Sequence, residues 1–450
     1  MLHWMKLSGT GPAAELTWKL AERLNLLTGD NGLGKSFLLD MAWRVLTRTW
    51  AGQMALLRED ASSASIEYQV KGRSVEAKPI ELKFDADIQD WKLPQHRPTD
   101  PGLVLYARSN GGFAVWDPFR NYYRNAPTQG VVDRERPAAF HFTEAEVWNG
   151  LQVGLRKPCE GLIRDWVSWQ RGKMPAFDRL RAVLETLSTP EEPMVPGEPM
   201  RVSIDDGFDV PTVQTRHGRV PLTHASAGMR RVIGLAYLLV WAFNEHILAA
   251  TVARKDPERR MVLLFDEPET HLHPKWQRLL IPALLKATDK MLDDPDQYPP
   301  MQVMQAGQIA LHQLPPAPRV QTVVATHSPL VLASLEPLFD TKKDALFELS
   351  DVAADGKAGP VELRRLPWQR YGDATGWLTS EVFDMKSARS QEAEQALQQA
   401  AVALQQPEFG SAQARQLDER LRGLLPDTDP FWLNWRFVAE KRGWLSKDGR

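Results

Sequence analysis

The eight residues Gly29-Asp30-Asn31-Gly32-Leu33-Gly34-Lys35-Ser36 constrain this chain more than any other stretch. They match the phosphate-loop pattern G-x-x-x-x-G-K-[ST] at every defined position. Glycines at these spacings let backbone N–H groups turn inward around phosphate oxygens, and the following helix N-terminus adds its positive dipole end. The pattern needs a strand before it and a helix after it. Leu24–Thr28 reads as a short strand, and from Ser36 the apolar residues Phe37, Leu38, Met41, Ala42, Val45 and Leu46 recur at helical spacing. In that setting Lys35 reaches the β- and γ-phosphates of ATP, and Ser36 ligates Mg2+. A glycine turn at an ordinary helix start is the bland alternative, and the strand–loop–helix context speaks against it.

Three later segments fit the same chemistry. Leu263-Leu264-Phe265-Asp266-Glu267-Pro268 is an apolar run ending in two carboxylates. Asp266 is placed to hold Mg2+, directly or through water, and Glu267 to activate a water as general base. Strands often end in solvated acids, so this segment becomes specific only beside the phosphate loop. Ala225-Ser226-Ala227-Gly228-Met229-Arg230-Arg231 precedes an apolar helix, so Ser226 and the Gly228 amide form a second anion-binding device, or Ser226 is a plain N-cap. Val323-Val324-Ala325-Thr326-His327 is an apolar strand ending in a histidine that can bond the γ-phosphate or position the attacking water.

The order phosphate loop, Ser-x-Gly signature, Asp-Glu strand, His strand resembles an ABC-type nucleotide-binding domain. The wording Phe265-Asp266-Glu267-Pro268-Glu269-Thr270-His271-Leu272-His273-Pro274 is similar to the soluble RecF/SMC-like and OLD-like branch, often called AAA family ATPases. The likeness covers residues 1–50 and 200–340 most strongly. Members serve DNA repair and anti-phage defence, for example beside the nuclease subunits of Septu- and PARIS-type systems. The resemblance implies an α/β P-loop fold with a mainly parallel sheet, an antiparallel β lobe, helical insertions and a C-terminal extension. It also implies a head-to-tail homodimer or higher oligomer, with two ATP molecules sandwiched so that Ser226 and Gly228 complete the partner's site. The signature departs from the usual form in having Ala227 where a second glycine stands. The Q-loop glutamine has no firm place; Gln129 and Gln152 are the candidates. After His327, Glu336 and Asp340 stand near, but no Asp-x-Asp strand of a TOPRIM nuclease follows, and Asp85-Ala86-Asp87 lies in the wrong part of the chain.

The sequence divides into an ATPase domain over 1–350 and a mainly helical extension over 351–450. A β-rich and helical insertion occupies about 60–200, and a proline-rich one about 289–318. Strands are expected at Leu2–Leu7, Leu16–Leu20, Ile66–Val70, Leu103–Tyr106, Phe113–Trp116, Arg201–Ile204 and Thr212–Thr215, with 60–125 forming the β lobe. Pro190, Pro193, Pro196 and Pro199 mark a linker or extended loop, and residues 388–406 a Gln/Ala/Glu-rich helix. Trp166 and Trp169 share one helix face and read as core rather than as a base-stacking platform.

Composition restricts the function. Lys+Arg 55 against Asp+Glu 57 gives a net charge of −2, with no chain-wide pull towards nucleic acid. Cys159 is the only cysteine, so an internal disulfide and a cysteine-based zinc site are excluded and a reducing cytoplasm is expected. His271 and His273 alone cannot build a metal site. No signal peptide is visible, and the uninterrupted apolar run Val232–Phe243 is short of the about 20 residues that span a bilayer, so it reads as a buried core helix. Arg230-Arg231 could meet DNA, a neighbouring acid or solvent. The resemblance implies an ATPase subunit controlling a separate effector, nuclease or toxin, in anti-phage defence. A RecF-like ATPase binding DNA ends and a slow ATP-locked scaffold are the alternatives; a membrane partner is not expected.

Overall fold

The computed structural model describes residues 1–450 apart from 73–77, 95–98, 122–136, 190–192, 217, 294–303, 306–307, 310–318, 352–358, 381, 384–388, 407–408 and 445–450. Two compact units result, Met1–Gly372 and Asp373–Arg450. The first opens with strands β1 (Leu2–Ser8), β2 (Glu15–Lys19) and β3 (Leu24–Gly29), then helix α1 (Lys35–Thr47). Strands β4 (Ser65–Val70), β5 (Ile80–Asp85), β6 (Asp90–Lys92), β7 (Leu103–Ala107), β8 (Phe113–Trp116) and β9 (Phe140–Phe142) follow. Next come α2 (Glu144–Asn149), the hairpin β10 (Leu151–Val153) and β11 (Arg156–Cys159), α3 (Leu162–Arg171) and α4 (Pro175–Leu187). A small sheet of β12 (Val195–Met200), β13 (Val210–Thr215) and β14 (Gly218–Pro221) leads into α5 (Ala227–Val252). The unit is completed by β15 (Met261–Asp266), α6 (Pro274–Asp293), the short pair β16 (Met304–Gln305) and β17 (Gln308–Ile309), β18 (Val320–Ala325), α7 (Pro329–Leu335), β19 (Ala345–Asp351) and β20 (Val361–Leu366).

The central sheet has the order β20-β19-β3-β18-β15-β7-β8-β9. Its five middle strands are parallel, and the antiparallel partners β20, β8 and β9 lie outside them. Every residue of β15 and β18 is buried, as a parallel strand covered on both faces requires. Alternate residues (Val104, Tyr106, Val262, Leu264, Val323, Ala325, Phe347 and Leu349) join one core with α1 and strands β1, β2 and β4. The sheet is thus the expected mainly parallel one, and the antiparallel lobe is the five-stranded β2-β1-β4-β5-β6. Strands β7 and β8 belong to the central sheet, not to that lobe. Parallel pairing of β7 with β15 joins residues far apart in sequence, and the local apolar pattern cannot reveal it.

Two local expectations change. The strand expected at Arg201–Ile204 is absent; it lies upstream, at Val195–Met200, within the stretch expected to be a loop. Pro196 and Pro199 are tolerated there because β12 is an edge strand, paired only with β13, so their missing N–H groups interrupt one ladder at most. Helix α5 reaches 26 residues, long and apolar enough to cross a membrane, but Val232–Phe243 is buried inside the protein. Trp166 and Trp169 are buried on one face of α3, as expected of core residues. Most of the proline-rich insertion lies outside the described residues. Strand β20 extends the first unit's sheet past residue 350.

The second unit consists of α8 (Ala374–Leu378), α9 (Gln391–Gln405), α10 (Ser411–Leu424) and α11 (Phe431–Lys441). Ala393, Ala396, Ala400 and Ala403 form a small-residue face on α9 and pack with Leu417, Leu421, Trp432, Trp435 and Trp444. The indole N–H of Trp435 donates to the buried Asp418 at 2.8 Å.

Candidate nucleotide-binding site

The loop between β3 and α1 turns on glycines with positive φ, 133° at Gly29 and 102° at Gly34. A Cβ on Gly29 would lie 2.2 Å from the carbonyl oxygen of Leu349, and one on Gly34 would lie 2.8 Å from the Pro12 ring. Both positions therefore need glycine for conformation and for space. Gly34 stands at the N-cap, and α1 begins at Lys35.

Three parallel strands deliver the remaining groups to the same edge. Leu27 of β3 pairs with Ala325 of β18, and Ala325 with Asp266 of β15, so β15 and β18 end level and β3 runs two residues further, to Gly29. The Ser36 hydroxyl donates to Asp266 Oδ1 at 3.0 Å. Burial raises the Asp266 pKa, and hydrogen bonds from Ser36 and Ser109 oppose the rise. A hydroxyl and a carboxylate converging in this way supply the hard oxygen donors that Mg2+ takes, so Ser36 and Asp266 fit that ion. The Lys35 ammonium donates to the carbonyls of Gly29 at 2.7 Å and Asp30 at 2.9 Å. Burial lowers its pKa, against the pull of Glu267, Asp266 and Asp30.

His327 lies between Lys35 and Glu267. Its Nδ1 is 3.4 Å from Lys35 Nζ, and its Nε2 is 3.0 Å from Glu267 Oε1. Nδ1 faces the Lys35 ammonium, while Nε2 approaches Glu267 without hydrogen-bond alignment and has no hydrogen-bond partner among the described residues. Burial is the larger cause lowering the His327 pKa, and Lys35 adds to it while Glu267 opposes. Glu267 has φ 47°, a left-handed conformation that costs a non-glycine residue, and its N–H bonds Ala325 O at 2.9 Å.

The structure therefore brings Gly29–Ser36, Asp266, Glu267 and His327 together. Ser226 and Gly228 stand apart. Ser226 caps α5, its hydroxyl accepting from Met229 N at 3.3 Å, and is itself exposed. Among the described residues, no hydrogen bond or ion pair joins Ser226 or Gly228 to the loop 29–36. Arg230 meets an acid, Glu144 at 3.9 Å, and lies over Trp148; Arg231 donates to the carbonyl of Arg108 at 3.4 Å. His271 and His273 are exposed.

Of the two glutamine candidates, Gln129 lies outside the described residues. Gln152 is on the hairpin strand β10, where its amide bonds Gly154 O at 3.1 Å. The side chain that does reach Asp266 is Ser109, two residues beyond β7. Asp40, one turn after Ser36 on α1, bonds Tyr106 of β7; burial pushes its carboxyl up to about 6 despite Arg108. Sequence reasoning missed both. The available signal was position: Ser109 follows an apolar strand, as Glu267 and His327 do.

Comparison with known proteins finds relatives in sequence and in structure. A curated relative, the Septu protein PtuA of Bacillus thuringiensis, is 20% identical over 398 residues, which cover 84% of this chain and 82% of that protein. Among solved structures, the SMC head domain from Thermotoga maritima matches at 14% identity and TM-score 0.35, over 82% of this chain and 99% of that one. The SMC head bound to the C-terminal winged-helix domain of ScpA matches at 12% and 0.40, over 81% and 98%. The recombination mediator protein RecF matches at 11% and 0.37, over 82% and 98%. The family model described as "AAA domain, putative AbiEii toxin, Type IV TA system" matches residues 24–333, more than half of the chain, and the protein belongs to that family.

Proposed function

We propose that this protein binds ATP with Mg2+ in the loop 29–36, hydrolyses it between two chains held head to tail, and thereby controls a separate effector protein in anti-phage defence. The observation that carries this reading is the convergence of Lys35, the Ser36–Asp266 pair and the Glu267–His327 pair at one sheet edge. Lys35 neutralises the β- and γ-phosphates, and the Gly29–Gly34 backbone N–H groups surround them. Mg2+, held by Ser36 and Asp266, would neutralise charge on the phosphate oxygens. Glu267 takes a proton from the attacking water, and the His327 ring, with Nε2 3.0 Å from Glu267 Oε1, flanks that carboxylate. The exposure of Ser226 at the N-cap of α5 supports a signature open to a partner's nucleotide. The defence role is supported by the sequence resemblance to Septu-type systems and by the likeness to PtuA.

The test is ATP binding and turnover by purified wild type, Lys35→Ala and Glu267→Gln. Lys35→Ala is expected to lose binding, turnover or both. Glu267→Gln is expected to keep binding, lose turnover by at least about 100-fold, and accumulate as a dimer on sizing with ATP and Mg2+. Wild-type-like turnover by Lys35→Ala would overturn the site, and a Glu267→Gln protein that stays monomeric would overturn the sandwich.

A further inference from the structure

We propose that Glu269 is a positioning residue for hydrolysis, fixing the backbone of His327 and with it the ring that spans Lys35 and Glu267. The inference rests on the ATPase reading above. Glu269 lies in the turn after β15, two residues past Glu267. Its Oε1 accepts two hydrogen bonds from the end of the neighbouring strand β18: Thr326 Oγ1 at 2.6 Å and His327 N at 2.9 Å. Thr326 is anchored in turn by its own N–H, which bonds Leu27 O at 3.0 Å, and its hydroxyl accepts from Ser328 N at 3.0 Å. One carboxylate oxygen thus ties the Asp-Glu strand to the His strand immediately beside the catalytic pair. The other oxygen, Oε2, is buried with no hydrogen-bond partner among the described residues.

A buried carboxylate with an idle oxygen is an expensive way to close a turn. At this position it has two uses. It holds the His327 amide, which fixes the backbone from which the ring projects. Its charge also lies within reach of Lys35 and Arg231, both of which it favours in their ionised forms. A displacement of about 1 Å at a catalytic group costs up to about 100-fold in rate, and Glu269 restrains such a displacement of His327 without touching the nucleotide.

The experiment compares full-length wild type, Glu269→Ala, Glu269→Gln, His327→Ala and the double variant Glu269→Ala/His327→Ala. ATP affinity is measured with a fluorescent ATP analogue, and hydrolysis by single turnover. Glu269→Ala is expected to bind with unchanged affinity and to hydrolyse about 10- to 100-fold more slowly. Glu269→Gln, which keeps an acceptor for both donors, should recover most of the rate. The double variant should be no slower than His327→Ala, because Glu269 acts through that residue. Wild-type hydrolysis by Glu269→Ala, loss of ATP binding together with rate, or additive effects in the double variant would each overturn the proposal. Should Glu269→Ala fail to fold, Thr326→Val removes one of the two donors and is judged by the same non-additivity with His327→Ala. If wild type turns over ATP no faster than Lys35→Ala, the ATPase reading has failed, and the strut is then judged by ring NMR of labelled histidines. A moved His327 signal in Glu269→Gln or Thr326→Val, with the other histidines unmoved, supports it; an unmoved one overturns it.

Discussion

Asp165 on α3 is half-buried against Tyr237 of α5, whose hydroxyl donates to Asp165 Oδ2 at 2.6 Å and lies 3.1 Å from Cys159 Sγ. Burial pushes the Asp165 carboxyl up to about 6, opposed by the Tyr237 hydrogen bond, and pushes the Cys159 thiol up to about 12. A carboxyl raised above its unfolded value holds its proton better in the folded protein. Its contribution to stability is therefore full below the unfolded value near 3.8 and is lost as pH rises through about 6. Asp165→Asn keeps an acceptor for Tyr237 and removes the charge. The variant should be more stable than wild type at pH 8, by on the order of 1–3 kcal/mol, with the difference shrinking towards pH 5. Urea unfolding of both proteins at the two pH values checks this; a difference independent of pH would contradict it. At this same scale the sequence was readable wherever a motif fixed spacing. Lys35, Ser36, Asp266, Glu267 and His327 lie together at one sheet edge. Ser109, Asp40 and Glu269 were not readable in their roles, because each acts through a neighbour that only the fold supplies.

Among the elements, the site depends on β3, β15 and β18 ending at one edge of the sheet, and these strands were legible as apolar runs that stop at polar groups. The place of β7 was not, since a parallel neighbour is chosen by packing between distant segments rather than by local pattern. Pro196 and Pro199 misled for a related reason: proline argues against a central strand, and whether β12 is an edge strand depends on its neighbours. The tightest junction is where Gly29 meets β19. Gly29→Ala would drive a methyl group into the Leu349 carbonyl and hold φ in a region that alanine avoids. A loss of roughly 2–5 kcal/mol is expected, seen as a lower melting temperature, together with weaker ATP binding. Unchanged stability would show that the loop relaxes away from β19.

For the whole molecule, the question is how the exposed signature finds its nucleotide. Ser226→Arg places a bulky charge at the signature and leaves its own phosphate loop intact. Mixed with Lys35→Ala, it should give heterodimers in which one composite site carries both lesions and the other carries neither. Some turnover, or nucleotide trapping at one site per dimer, should return on mixing. If neither returns although mixed dimers form, the signature does not act in trans. The second unit, Asp373–Arg450, has a tryptophan-rich core of its own that composition did not assign to it, and β20 keeps residues 361–366 in the first unit's sheet.

The proposed sharing of the signature between two chains has a consequence for cells. On that reading a lone chain cannot close its own site, so at levels below the dimer dissociation constant its activity would rise with the square of its abundance. Gene dosage then behaves as a threshold: a few copies stay silent, and a burst of synthesis, or any ligand that gathers chains together, switches on turnover without altering a single residue.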